Sequence, residues 1–398
     1  MKPSVNNVLK DLGRIVVWMQ KNNWAGYDPY DVKGLPFFRW LERNKRFLGV
    51  SQVELAAEIA MNLFPVTIRK LLNIRPQENA KAMALIARGS LKIYKVTNLI
   101  QYLSLADMSL NWLIRHNHAN SERQLGWGYP FDWQSVVFIP RETPLIVVSS
   151  LGGHALLDRF ELSKNNRWLF YAQKVKNFLL EALNQTEYED GSISLSYSCI
   201  DNFRVINSNM YGASFLARYG ILAKDEEAIQ FSRKIRRFVL NHQREDGAWE
   251  YWADKASIVD AYHLGITLEW LDLAIKYDAP LKGELEALDK GLKYFISKFV
   301  RPDGMCPFKD NSLYPIDIHA VAQCIVTLSQ LLPCEEINIV RRIVEFANSR
   351  MKNKDGTFIY RILKFGLKSR IPFIRWGQAW MFWALANYLE RIKKCVDL

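Results

Sequence analysis

Four Asp-Gly pairs, Asp190-Gly191, Asp246-Gly247, Asp303-Gly304 and Asp355-Gly356, recur at intervals of 56, 57 and 52 residues. A period of this size marks a repeat architecture, in which each unit buries its apolar face only against its neighbours. The sequence on either side of each pair differs in kind. Before the second pair, Ala228, Phe231, Ile235, Phe238 and Val239 share one helical face while Lys224, Arg233, Lys234 and Arg237 lie largely off it. Ile337, Val340, Ile343, Val344 and Ala347 repeat that pattern before Asp355. After the pairs, residues 258–275, 316–332 and 376–389 are apolar nearly all round and carry small side chains. A one-sided helix belongs on the outside of a double layer, and an all-round apolar one belongs within it.

Two looser units of the same kind precede these. A helix over residues 5–21 leads into a loop holding Trp24, Tyr27, Asp28 and Tyr30, and helical sequence over 93–118 leads into Gly126-Trp127-Gly128-Tyr129-Pro130-Phe131-Asp132-Trp133. Six outer-to-inner connections result. Six hairpins wound in one direction close into an all-α (α/α)6 toroid, with all six connecting loops on one rim. Residues 1–398 are expected to form one domain, divergent over 1–120 and regular over 120–398. Residues 34–120 contain more helix than one inner element needs. Strand signals are confined to rim loops: residues 357–375 read as a hairpin turning at 366–369, and 192–206 as a second.

With 49% hydrophobic and 24% charged residues the chain has the composition of a globular protein. The longest stretches without Asp, Glu, Lys or Arg, 318–334 and 143–157, are too short for a membrane span, which needs roughly 18 residues. The start passes directly into an amphipathic pattern without a secretory leader, so a cytoplasmic location is expected. Five scattered cysteines lack CxxC or Cys/His metal spacing, which predicts reduced thiols and neither a disulfide scaffold nor a metal site. Phosphate-loop, GxSxG, HExxH and dinucleotide motifs are absent, and no cofactor is implied.

Gln243-Arg244-Glu245-Asp246-Gly247-Ala248-Trp249 resembles the Gln-x-x-Asp-Gly-x-Trp repeat of terpenoid-cyclase and prenyltransferase toroids, where the motif is structural. The chain has no Asp-x-Asp-Asp cluster, so the proton donor for isoprenoid cyclisation is missing. Residues 126–134 and Ile371-Pro372-Phe373-Ile374-Arg375-Trp376-Gly377-Gln378-Ala379-Trp380-Met381, with the Asp-Gly loops between them, resemble VpsJ-type toroid proteins of surface-polysaccharide loci. That resemblance spans roughly residues 120–390 and implies a glycan context. More broadly the architecture is similar to six-hairpin glycosidases, uronate lyases and glucuronyl C5-epimerases.

Ligands of such toroids bind where the inner-helix N-termini converge. Asp260, Tyr262 and His263 begin one inner helix, Asp317 and His319 the next, Asn209 and Tyr211 the one before, and Arg375, Trp376 and Gln378 the last. Each Asp also suits a helix N-cap, and each His a buried, hydrogen-bonded position. Proton abstraction beside a uronate carboxylate needs a base, a donor on the opposite side and a cation for the enolate. His263, Tyr262 or Tyr211, and Arg375 match in type. Hydrolysis instead needs two flanking carboxylates, for which Asp260 with Asp317 or Asp132 are candidates. Trp127, Tyr129, Trp133, Trp249 and Trp376 offer faces on which sugar rings stack, or alternatively pin the loops.

The formal charge is 53 − 41 = +12. Arg361, Lys364, Lys368, Arg370 and Arg375 fall within 15 residues and are interleaved with apolar side chains. Such a loop suits uronate carboxylates, a lipid-linked acidic glycan or an anionic membrane surface, and equally a solvated edge strand. No nucleic-acid recognition motif accompanies the charge. The sequence therefore predicts an enzyme modifying an acidic oligosaccharide in surface-polysaccharide biosynthesis. The alternatives are a non-catalytic toroid binding glycan or assembly machinery, and an isoprenoid-binding toroid.

Overall fold

The computed structural model describes residues 5–44 and 49–396; Met1 to Ser4, on which the expectation of no leader partly rests, lie outside them. In chain order the helices are α1 (Val5–Lys21), α2 (Pro36–Asn44), α3 (Val50–Leu63), α4 (Pro65–Leu71), α5 (Ala80–Thr97), α6 (Ile100–Arg115), α7 (Ile146–Ser163) and α8 (Asn166–Glu181). They continue with α9 (Ile206–Ala223), α10 (Glu226–Asn241), α11 (Ala261–Tyr277), α12 (Glu284–Phe299), α13 (Ile318–Leu331), α14 (Ile337–Arg350) and α15 (Trp380–Val396). The helices α5, α7, α9, α11, α13 and α15 pack each on the next, and α15 packs back on α5, so the ring closes. Outside it, α6, α8, α10, α12 and α14 back the first five, and α1 backs α15. The fold is the expected (α/α)6 toroid.

Apolar patterning explains the two layers. Residues 206–220 of α9 are buried without a break, whereas α10 buries only Ala228, Ile229, Ser232, Ile235, Arg236, Phe238 and Val239. The four Asp-Gly pairs build one turn four times. In each, an Asp Oδ1 accepts the backbone NH two residues on, with Ser192, Ala248, Met305 and Thr357 donating at 3.0 to 3.1 Å. The glycines follow at φ between 75° and 94°, the left-handed region that favours Gly. At Gly247 and Gly304 a Cβ would also meet the carbonyl oxygens of Lys290 and Arg342 at 2.5 and 2.2 Å. At these two copies the repeat is the joint by which the loop sits on the neighbouring outer helix.

Strands are short and antiparallel: β1 (Trp133–Gln134) with β2 (Phe138–Ile139), β3 (Gln185–Glu187) with β4 (Ile193–Leu195), and β5 (Ile316–Asp317), β6 (Arg361–Ile362) and β7 (Lys368–Ser369) in one sheet. The last predicted hairpin exists but is shorter, and it turns over residues 363–367. The chain then forms a π-turn over Ile374–Ala379, so α15 begins at Trp380 and not at Trp376 as its apolar pattern suggests. The other hairpin pairs 185–187 with 193–195 across Asp190-Gly191, not within 192–206.

The surplus helix of residues 34–120 is α2 to α4, inserted between α1 and α5. The insertion rests on the rim, with α2 against β1 and α3 against β7. Arg69 of α4 anchors it, bonding the Asp31 carboxylate at 2.9 Å and the Asp28 carbonyl at 2.9 Å. Reduced thiols were expected throughout; instead Cys334 and Cys395 form a disulfide, their Cα atoms 5.5 Å apart. The exit of α13 and the end of α15 lie side by side because the two helices are ring neighbours, a proximity that a separation of 61 residues conceals. Cys199, Cys306 and Cys324 are free. Among the described residues no helix is long and apolar enough to cross a membrane.

Candidate functional site

Four of the side chains expected to touch sugar devote their polar atoms to the fold. Trp127 Nε1 donates to the Leu113 carbonyl at 2.9 Å, and Trp249 Nε1 to the Val239 carbonyl at 2.8 Å, each tying a rim loop to the end of the preceding outer helix. Asn209 brackets Leu195, accepting from its NH at 2.7 Å and donating to its carbonyl at 3.0 Å. Gln378 does the same to Phe358, at 3.0 and 2.8 Å. Buried amide groups must find partners, and these carboxamides supply them where the loops leave the ladder.

The mouth above is aromatic. Tyr30 stacks on Trp133 at 5.8 Å and leans on Trp376 at 5.3 Å, while Tyr129 packs on Phe131 and on the edge of Trp133. Arg375 lies beneath, 1% exposed, bonded through Nε and Nη2 to both oxygens of Asp28 at 2.6 and 2.7 Å and set 4.5 Å from the Tyr129 ring. Burial opposes its charge, yet Asp28 and the tyrosines hold its pKa above the usual arginine value. The cation expected to stabilise an enolate is thus already neutralised by Asp28. Asp132, half-buried, accepts from the Arg141 backbone NH at 2.7 Å.

At the centre of the ring, Lys81 of α5 donates from Nζ to Tyr262 Oη at 3.0 Å. The rings of Tyr211, Tyr262 and Trp380 lie 5.5 to 5.7 Å from that nitrogen. Burial foremost, then the Arg375 charge, pushes the Lys81 pKa well below its ordinary value, and burial drives those of Tyr262 and Tyr211 well above theirs. His319 is fully buried, its ring 3.6 Å from Tyr262 and 4.1 Å from Trp376, with neither nitrogen hydrogen-bonded. Burial and the nearby Lys81 hold its pKa well below 6.5, so the imidazole stays neutral. Asp317 caps α13 through the His319 NH and accepts Arg361 Nε and Trp376 Nε1, both at 2.7 Å. Three donors thus hold its two oxygens, and the residue is fully buried.

One pair at the mouth keeps an open functional atom. Asp260 caps α11, accepting the His263 NH at 2.8 Å through Oδ1, and its Oδ2 meets His263 Nδ1 at 2.6 Å. The His263 side chain remains 27% exposed, flanked by the rings of Tyr251 at 4.5 Å and Tyr262 at 4.9 Å. Nε2 carries no hydrogen bond among the described residues. A carboxylate on Nδ1 fixes the tautomer and orientation of the ring and leaves Nε2 free to take a proton.

Between the insertion and the rim lies a cavity of about 390 Å³, lined by Tyr30, Glu54, Glu58, Arg69, Arg361 and Trp376 among others. Of the residues that the sequence placed in the site, Trp376 alone lines it. Lys81, Asp28 and the insertion were missed. Lys81 follows the N-cap Asn79 within the segment that could not be assigned to a hairpin, so its place at the ring centre had no sequence signal. No group of three or more His, Cys, Asp or Glu side chains among the described residues could hold a metal ion.

No protein-family model and no curated protein matches this chain. Solved structures do. Cellobiose 2-epimerase from Bacillus thermoamylovorans superposes with a TM-score of 0.64 at 11% identity, over 81% of this chain and 90% of that one. A possible GH105-family member from Salmonella enterica gives 0.63 at 10% identity, over 98% and 95%. A polysaccharide lyase gives 0.57 at 12% identity, over 86% and 98%. At such identities the likeness shows the shared (α/α)6 fold.

Proposed function

We propose that this protein is an enzyme that modifies an acidic, uronate-containing glycan by proton transfer, in epimerisation or β-elimination, with residues 1–398 acting as one domain. The observation that carries it is the Asp260–His263 pair, an oriented imidazole with its outer nitrogen free, at the mouth of a toroid whose structural neighbours include an epimerase and a lyase. His263 is the base and Asp260 its positioning residue. Tyr262, buried against Lys81, is the proton donor proposed for the other side, with Lys81 as its proton partner. Tyr30, Trp133 and Trp376 supply the sugar-stacking faces. Asp317 is consumed by its own donors, which favours proton transfer over a hydrolysis needing two free carboxylates. The glycan is proposed to be an intermediate of surface-polysaccharide assembly, presented in lipid-linked form at the inner membrane face.

In epimerisation the C5 proton taken by His263 is replaced from solvent, so deuterium enters that position when the protein is incubated with its glycan in heavy water; in β-elimination the C5 proton is lost with the C4 substituent, which leaves protonated, and the C4–C5 double bond that remains is read by its ultraviolet absorbance. His263→Gln is expected to lower the exchange rate by about 10² to 10⁴, the span general-base catalysis contributes. Neither exchange nor unsaturated product on acidic glycans that the protein binds would overturn the reading. Binding unchanged in both His263→Gln and Asp260→Asn, with no turnover by the native protein, would favour a non-catalytic glycan-binding toroid instead.

A further inference from the structure

The helix α3 is inside out. Its half-turned inner side carries Glu54, Ala57, Glu58 and Met61, which line the cavity, whereas Leu55, Ala56, Ile59 and Leu63 form a stripe facing solvent. Leu55 is 58% exposed and Ile59 48%. A helix of a globular protein ordinarily places these faces the other way round. The neighbouring helices extend the surface, with Phe37 and Trp40 of α2 exposed on one face, Phe64 between α3 and α4, and Leu71 at the end of α4. Ten of the exposed large apolar side chains among the described residues fall between Phe37 and Leu72. A second element adds to them. The turn between β6 and β7, whose second strand packs on α3, presents Phe365 at 92% exposure beside Leu367.

Charge says what covers this surface. Arg43 and Lys70 are exposed on the insertion, and Lys364 and Arg370 on the turn. Glu54 of α3 faces the cavity, and Glu58, though exposed, pairs with Arg361 at 3.5 Å. Apolar side chains on two separate elements, rimmed by Lys and Arg, with the one exposed acid of α3 paired to Arg361, match the interface of an anionic lipid bilayer, which takes up apolar side chains to a depth of roughly 5–10 Å and attracts the surrounding cations.

We infer that α2 to α4 and the β6–β7 turn form a membrane-docking face that seats the toroid on an anionic lipid surface. This goes beyond the glycan reading and does not depend on it, since docking is measured with no glycan present.

The test is co-sedimentation of the full chain with vesicles of phosphatidylcholine alone or mixed with phosphatidylglycerol, at low and high salt. Binding is expected to the mixed vesicles only, and to weaken as salt rises. Leu55→Glu/Ile59→Glu and, separately, Phe365→Glu should each abolish sedimentation. Lys364→Gln/Arg370→Gln should weaken it by roughly 25-fold, about fivefold per cation removed. All these positions are exposed, so an unchanged thermal melt will show that the variants fold. Failure of the native protein to bind the mixed vesicles at low salt would overturn the inference. So would a dimer in solution that Leu55→Glu/Ile59→Glu splits, because the face would then belong to a second copy. Loss of docking with glycan exchange intact would leave the proposed reaction standing, and the reverse would leave the docking face.

Discussion

Two neighbouring helix starts carry the same residue types and put them to opposite uses. At α11, Asp260 and His263 stand three residues apart; at α13, Asp317 and His319 stand two apart. In both, the aspartate caps the helix through a backbone NH of the histidine. One residue of spacing then turns the imidazole by about 100° around the helix. His263 folds back onto its capping carboxylate and stays at the surface of the mouth, whereas His319 points into the ring between Tyr262, Trp376 and Trp380 and loses every polar partner. Asp317, deprived of an imidazole, takes Arg361 and Trp376 instead. A proposed catalytic pair and a structural lock thus differ by a register.

The comparison breaks most sharply at Asp317. Asp317→Asn leaves the largely buried Arg361 without its main counter-charge, and a loss of about 3–5 kcal/mol of stability is expected, read by chemical denaturation. Asp260→Asn should behave differently, because asparagine caps a helix about as well as aspartate. Its expected stability loss is below about 1 kcal/mol, while exchange activity falls by at least about tenfold as the imidazole loses its fixed tautomer. If Asp260→Asn destabilised as much as Asp317→Asn, the two sites would be the same kind of structure and the distinction would fail.

The smallest effect concerns pH. The pKa of His319 is depressed in the fold, by burial first and then by the neighbouring Lys81 and Arg375, and that of His154 is depressed by burial with Arg88 and Arg218. Below about pH 6.5 the unfolded chain takes up protons that these two folded imidazoles refuse, so the stability present above that pH is lost as pH falls. The slope contributed by each group approaches about 1.4 kcal/mol per pH unit at its steepest. His319→Phe keeps a ring in the stack and removes the titration. Melting temperature should therefore fall less steeply between about pH 7 and pH 5 in this variant than in the native protein, and an identical slope would mean that His319 accepts a proton in place.

The fold was legible because the physics that sets it is periodic. Asp-Gly turns and the alternation of one-sided with all-round apolar helices recur often enough to count six hairpins. The site was legible only in type. The sequence marked Asp260, His263, Asp317 and His319 as helix-start residues but could not tell which imidazole faced outward, since that depends on where each helix begins to within one residue. Arg375 and Trp376 fell within a π-turn that an apolar pattern reads as ordinary helix. The insertion was legible only as surplus helix in residues 34–120, because helical periodicity does not say which side of α3 meets solvent. The disulfide escaped notice because Cys334 and Cys395 meet only once the ring has closed.

That closure also has a timetable. The outer helix α1 has its inner partner in α15, at the far end of the chain. On a ribosome adding 5–20 residues per second, α1 emerges roughly 20 to 75 s before α15 exists. Throughout that interval its apolar face, Val8, Leu12, Ile15 and Met19, has no permanent seat. The five hairpins in between can assemble as an open crescent while the first helix waits, and the toroid becomes a toroid only when the last one arrives.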